Sequence, residues 1–139
     1  MQMLLTTKAP IIVFEPDPRN QFCITSTLMG LSQELRDRVS LFPIALGNET
    51  ATSTINAAKG NMGSSVVGSV IKYGAGQDFL APIPIRMERL DSVLNTNNLE
   101  WNAPLLEIDA QGFECRIMDG MGAVLKRIGA IGTEIAPHW

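Results

Sequence analysis

The chain is predicted to be an α/β protein with a mostly parallel sheet flanked by helices, and three observations carry that prediction. A short β-branched run, Pro10-Ile-Ile-Val-Phe14, ends in the acidic Glu15-Pro16-Asp17-Pro18. A continuous apolar run of that length suits a strand covered on both faces, as parallel strands are. A helix and another strand follow within about 35 residues, the spacing of a βαβ unit. Leu105-Leu-Glu-Ile-Asp109 then repeats the order of strand, acid and helix in the second half.

Each element has a local reason. Met1 to Lys8 reads as the tail of a helix. Asp17 caps a helix whose first position is Pro18, where a missing N–H costs nothing. That helix carries Phe22, Ile24, Leu28 and Met29 and stops at Gly30. After a polar turn over 33–38, the run from Val39 to Leu46 is predicted as the next strand. Thr52 to Ile55 reads as a short strand, and Gly60 to Ser69, rich in glycine and serine, as a loop. Ala81 to Met87 contains two prolines, which demote it to an edge strand or an extended connector. Glu88 to Leu94 suits a short helix. Phe113, Ile117, Met121, Val124 and Ile128 recur at helical intervals and share one face. Gly129 to Ile135, with Glu134 near its end, is the last predicted strand.

Composition narrows the function classes. A length of 139 residues is one domain's worth, predicted over 1–139. Eleven Lys and Arg against fourteen Asp and Glu leave a net charge of −3, which argues against nucleic-acid binding by phosphate neutralisation. No apolar run approaches the roughly 20 residues of a membrane helix, and the N-terminus lacks signal-peptide features, so a cytoplasmic location is expected. Cys23 and Cys115 form no C-x-x-C pattern, and with the single His138 they cannot build a structural zinc site; no metal is expected. Both cysteines read as buried apolar groups.

Ligands of open α/β sheets bind beyond the carboxyl ends of the strands. Glu15, Asp109 and Glu134 all stand at or near such ends. Glu15 suits a carboxylate that takes both hydroxyls of a ribose; the alternative is an acid placed for the dipole of the following helix. The glycine loop expected roughly 20 residues upstream of a ribose-binding acid has no counterpart, since the first glycine is Gly30. Gly63 to Ser69 has phosphate-loop glycine spacing without the lysine, and Gly74-Ala-Gly76 lacks a third glycine. Ser64 and Ser65 read either as part of a loop over a ligand or as a flexible turn. Glu107 and Asp109 share a strand face, and Gln111 and Glu114 flank the start of the next helix. An oxygen-ligand Mg²⁺ site from Asp109 with Glu114 or Glu134 is a further alternative.

Taken together, Phe14-Glu-Pro-Asp-Pro18, Ala45-Leu-Gly47, Ser64-Ser65, Leu90-Asp91 and Ile108-Asp-Ala-Gln-Gly-Phe-Glu114 resemble FkbM-type S-adenosylmethionine-dependent methyltransferases, over roughly residues 4 to 136. The resemblance implies an incomplete Rossmann-like methyltransferase fold, lacking the first strand, its glycine-rich turn and the terminal strands. It implies S-adenosyl-L-methionine as cofactor, held by Glu15, Pro16, Ala45 and Leu46. Asp109 is the implied catalytic residue, and Ser64, Ser65, Gln111 and Glu114 are the implied substrate contacts. The implied reaction is O-methylation of a small-molecule or carbohydrate hydroxyl. The sequence departs from the family pattern at Glu107, where lysine is common, and at Gln111, where glutamate is. A sheet edge left without its neighbour is expected to favour self-association. The rival readings are a non-catalytic α/β module kept for protein interaction and a phospho-receiver domain. The receiver ranks lower, because Glu134 stands where that fold needs a lysine.

Overall fold

In a computed structural model of the chain, the structure describes residues 2–68, 78–96 and 102–133. The chain divides into two compact units, Met1–Ile44 and Ala45–Trp139.

The first unit holds helix α1 (Gln2–Thr6), strand β1 (Ile11–Phe14), helices α2 (Pro18–Met29) and α3 (Gln33–Arg36), and strand β2 (Val39–Phe42). β1 and β2 pair in parallel, from Ile11 opposite Val39 to Phe14 opposite Phe42. The two phenylalanine rings stack at 5.3 Å, an offset contact of the kind aromatic pairs prefer. α2 begins as the sequence predicts. Asp17 accepts the Arg19 N–H, Pro18 opens the helix and Gly30 closes it. No residue of α2 is buried, and Phe22 and Met29 are largely exposed. Ile24 and Leu28 line an apolar groove with Leu4, Ile11, Val13 and Val39. Arg38 ties the start of β2 to the segment after α1. Its guanidinium donates to the carbonyls of Leu4, Thr7 and Ala9, while its own carbonyl accepts the Ile11 N–H.

The second unit contains β3 (Ala45–Leu46), β4 (Ala51–Ala58), β5 (Asn61–Val67), β6 (Ile83–Glu88), helix α4 (Leu90–Thr96), β7 (Leu106–Ile108), helix α5 (Glu114–Asp119), a 3₁₀ helix (Gly122–Arg127) and β8 (Ile131–Thr133). Its larger sheet has the order β3-β6-β4-β5, and β7 pairs with β8. Ala45, Ile55, Ile85 and Met87 form a core cluster, with Phe113 packed against it. Leu90, Leu94 and Met121 are almost fully buried, each worth about 1.5–3 kcal/mol of hydrophobic stabilisation.

Several sequence expectations are corrected here. Pairing is parallel in β1–β2, β3–β6 and β7–β8 but antiparallel in β4–β5 and β4–β6, so the larger sheet is mixed rather than mostly parallel. The cause is a hairpin. The turn at Lys59-Gly60, with Gly60 at φ +79°, sends the chain back along β4. Ser64 and Ser65 therefore lie in a strand and not in a loop. The run from Val39 to Leu46 is two strands separated by Pro43. β6 is an inner strand of the sheet although it contains Pro84. Among the described residues β3 pairs only with Met87 and Glu88, and Pro84 lies in the half of β6 where β4 is the described neighbour. The predicted helix from Phe113 breaks at Gly120 and continues as the 3₁₀ helix, although Ile117, Met121 and Val124 do share the buried side. Cys23 and Cys115 are exposed rather than buried, Cys23 at the rim of the apolar groove that Ile24 and Leu28 line. Gly74 to Gly76, Glu134 and His138 lie outside the described residues.

Candidate functional site

In the first unit the polar groups gather where β1 ends. The Glu15 N–H continues the ladder to Phe42, and its carbonyl accepts from the Gln21 side chain at 2.8 Å. The carboxylate Oε1 accepts the Asp17 N–H at 2.8 Å. Burial raises the Glu15 pKa; the Asp17 backbone and Asn20 side-chain hydrogen bonds oppose this, and the Asp17 charge adds to it. The acid therefore does serve the start of α2, as one of the two alternatives required. A carboxylate has about four lone-pair sites, so these bonds leave it capacity for a hydroxyl. Pro16 is half-buried in the same turn.

Asp17 is the residue whose importance exceeds its sequence reading. It is fully buried, and besides capping α2 it receives both Nε and Nη2 of Arg19, at 2.8 and 2.6 Å. A bidentate charge-assisted pair of this kind fixes geometry as well as charge. The spacing Asp-Pro-Arg at a helix start was the available signal.

In the second unit the parallel strands β3 and β6 end side by side. Ala45 and Leu46 are buried, so their side chains belong to the core. Gly47 donates its N–H to the carbonyl of Glu88. Glu88 is itself buried, with Thr50 Oγ1 donating to Oε2 and Arg86 Nε donating to Oε1. Sequence reasoning passed over Glu88, though it repeats the pattern of an acid closing an apolar strand. Arg89 and Asp91 follow as a two-point ion pair, with Arg89 also donating to the Asn48 carbonyl. The hydrogen-bonded Arg89 guanidinium holds the Asp91 carboxyl below its usual range.

The loop from Asp109 to Glu114 leaves the carboxyl end of β7. Asp109 is exposed and accepts from Gln111 Nε2 at 2.7 Å through Oδ1. Glu114 is buried, and its Oε1 accepts the N–H groups of Ala110 and Gly112. Asp109, Gln111 and Glu114 are thus brought together in one loop. Phe113 connects this loop to the end of β3, since a Cβ built on Gly47 would lie 3.3 Å from its ring. Gly120 packs on the Gly47 carbonyl as well, and its own carbonyl accepts the Asp91 N–H. The strand-end residues Gly47, Glu88 and Asp91 and the loop after β7 therefore form one cluster. Ser65 is half-buried in β5 opposite Ala57, and Ser64 is its strand neighbour.

Among the described residues, no group of three or more His, Cys, Asp or Glu side chains is placed to hold a metal ion. Among the same residues, no helix is long and apolar enough to cross a membrane.

These features define an α/β protein with carboxylates at the carboxyl ends of parallel strands. A family model described as "Methyltransferase FkbM domain" matches residues 6–138, nearly the whole chain, and the chain belongs to that family. No curated protein and no solved structure gives a match.

Proposed function

We propose that this chain is an S-adenosylmethionine-dependent methyltransferase domain that methylates a hydroxyl of a small molecule or carbohydrate. The observation that carries the reading is the family match, which spans both the Glu15 turn and the Asp109 loop. S-Adenosylmethionine, when bound, supplies a methyl group on a cationic sulfur, and transfer to oxygen releases a neutral thioether.

The chain's residues suit that chemistry in three ways. Glu15 retains acceptor capacity for a ribose diol, and burial strengthens hydrogen bonds made to it. The segment ending at Gly47 offers backbone beside the end of β3, with Pro16 shaping the turn around Glu15. Asp109 keeps one oxygen on Gln111, and among the described residues its Oδ2 has no protein partner. That oxygen can accept the proton of an acceptor hydroxyl as the O–C bond forms and the S–C bond breaks. Since the leaving group is already activated, alignment is the larger part of the protein's contribution.

Isothermal titration with S-adenosylmethionine tests the cofactor half of the reading. The chain is expected to bind, and Glu15→Ala to weaken binding tenfold or more, the loss of one charge-assisted hydrogen bond or two. Radiolabelled methyl transfer to a panel of sugars and hydroxylated small molecules tests the rest. Asp109→Asn is expected to lower turnover at least a hundredfold while cofactor affinity stays within about threefold. A chain that binds no S-adenosylmethionine overturns the proposal.

A further inference from the structure

We infer that Glu114 is a positioning residue whose carboxylate holds the Asp109 loop in its working shape. The inference rests on the reading of Asp109 given above for its meaning in catalysis, but its geometry is independent of it.

The turn begins with the Phe113 N–H donating to the Ala110 carbonyl at 3.2 Å. Its two central residues, Gln111 and Gly112, both have positive φ, +49° and +95°. Glycine adopts such a backbone freely, whereas glutamine has a Cβ and pays for it, and no other described non-glycine residue has positive φ. Something must therefore hold Gln111 in place.

The holder is Glu114. One oxygen, Oε1, accepts N–H groups from both sides of Gln111, at 3.1 Å from Ala110 and 3.0 Å from Gly112. Two N–H groups can converge on one anion only when the residue between them bends the chain, which is the geometry of a backbone nest. The glutamate is buried, so these charge-assisted bonds meet little competition from water. With Gln111 so fixed, its Nε2 reaches Asp109 Oδ1 at 2.7 Å. That bond fixes the rotation of an otherwise exposed carboxylate. Glu114 thus acts on Asp109 through the backbone and Gln111.

Amide hydrogen exchange and side-chain amide NMR on the whole chain test this. Glu114→Ala is expected to speed exchange at Ala110 and Gly112 tenfold or more. The Ile55 and Ile85 amides in the larger sheet are expected to change less than threefold. Glu114→Gln, whose neutral carbonyl oxygen can accept the same two bonds more weakly, is expected to fall between native and Glu114→Ala at Ala110 and Gly112, and to leave Ile55 and Ile85 within about threefold of native. Asp109→Asn is expected to shift the Gln111 side-chain amide resonances in the native background but not beside Glu114→Ala. Unchanged exchange at Ala110 and Gly112 in Glu114→Ala overturns the inference. So does parallel acceleration at Ile55 and Ile85, which makes Glu114 a support of the whole fold. If Glu114→Ala does not fold, a Glu114→Gln chain with freely exchanging Ala110 and Gly112 amides overturns it equally. S-Adenosylmethionine titrated into the same native sample separates the two readings: an absence of binding sinks the methyltransferase proposal while the exchange data stand.

Discussion

Glu15 and Asp17 are two residues apart, yet their environments set them opposite tasks. Asp17 is fully buried and its charge is answered by a two-point pair with Arg19 and by the α2 N-terminus. Asp17→Ala removes the cap and leaves Arg19 without its partner, and is expected to cost about 2–4 kcal/mol, read from urea unfolding followed by circular dichroism. Glu15 is only partly covered, and burial works against its charge. The sequence made Glu15 legible because an acid at the end of an apolar strand is a simple pattern. The weight carried by Asp17 was not legible, because a cap reads the same whether its side chain is exposed or sealed. Glu114 was hidden for a related reason: its sequence position suits a first-turn helix acid, and only the folded turn aims its oxygen back at the loop.

At the scale of elements, the sequence located strands and helices well and their pairing poorly. β1, α2, α4 and β7 lie close to where periodicity and capping placed them. The hairpin was missed because glycine and serine in Gly60 to Ser69 have low strand propensity, and pairing along β4 overrides propensity. The break in the predicted helix after Phe113 also has a tertiary origin. A Cβ at Gly120 would fall 1.8 Å from the Gly47 carbonyl oxygen, so the helix is pressed onto backbone there. Gly120→Ala is accordingly expected to destabilise the second unit by about 3 kcal/mol, measured as faster exchange of the hydrogen-bonded Val93 and Met121 amides. Gly47→Ala is expected to cost less. Its new methyl would meet the Met87 side chain first, at 2.6 Å, and a thioether can move aside where a peptide carbonyl cannot.

For the molecule as a whole, two carboxylates pull the pH dependence of stability in opposite directions. Glu15 has a raised pKa in the folded chain, so the native state holds its proton more tightly and its contribution falls as pH rises through the folded pKa. Asp91 has a lowered pKa, chiefly from the Arg89 hydrogen bond, so its contribution is present above the ordinary carboxyl range and is lost as pH falls through the folded pKa. Thermal melts of variants across pH 3 to about 8 separate the two. Glu15→Gln is expected to raise Tm at neutral pH, with the advantage vanishing on acidification. Asp91→Asn is expected to lower Tm at neutral pH, and that deficit closes only under more acidic conditions.

Pro84 has a consequence for the protein's behaviour in a crowded cell. The β4–β6 ladder runs through it without interruption, so its nitrogen must lie at a position that does not donate to β4 and must face the side of β6 where, among the described residues, β3 pairs with Met87 and Glu88. With no hydrogen on that nitrogen, an incoming peptide finds a gap in the row of donors it would need to dock. A single ring thus interrupts the row of donors that strand-by-strand growth along that side of β6 would require.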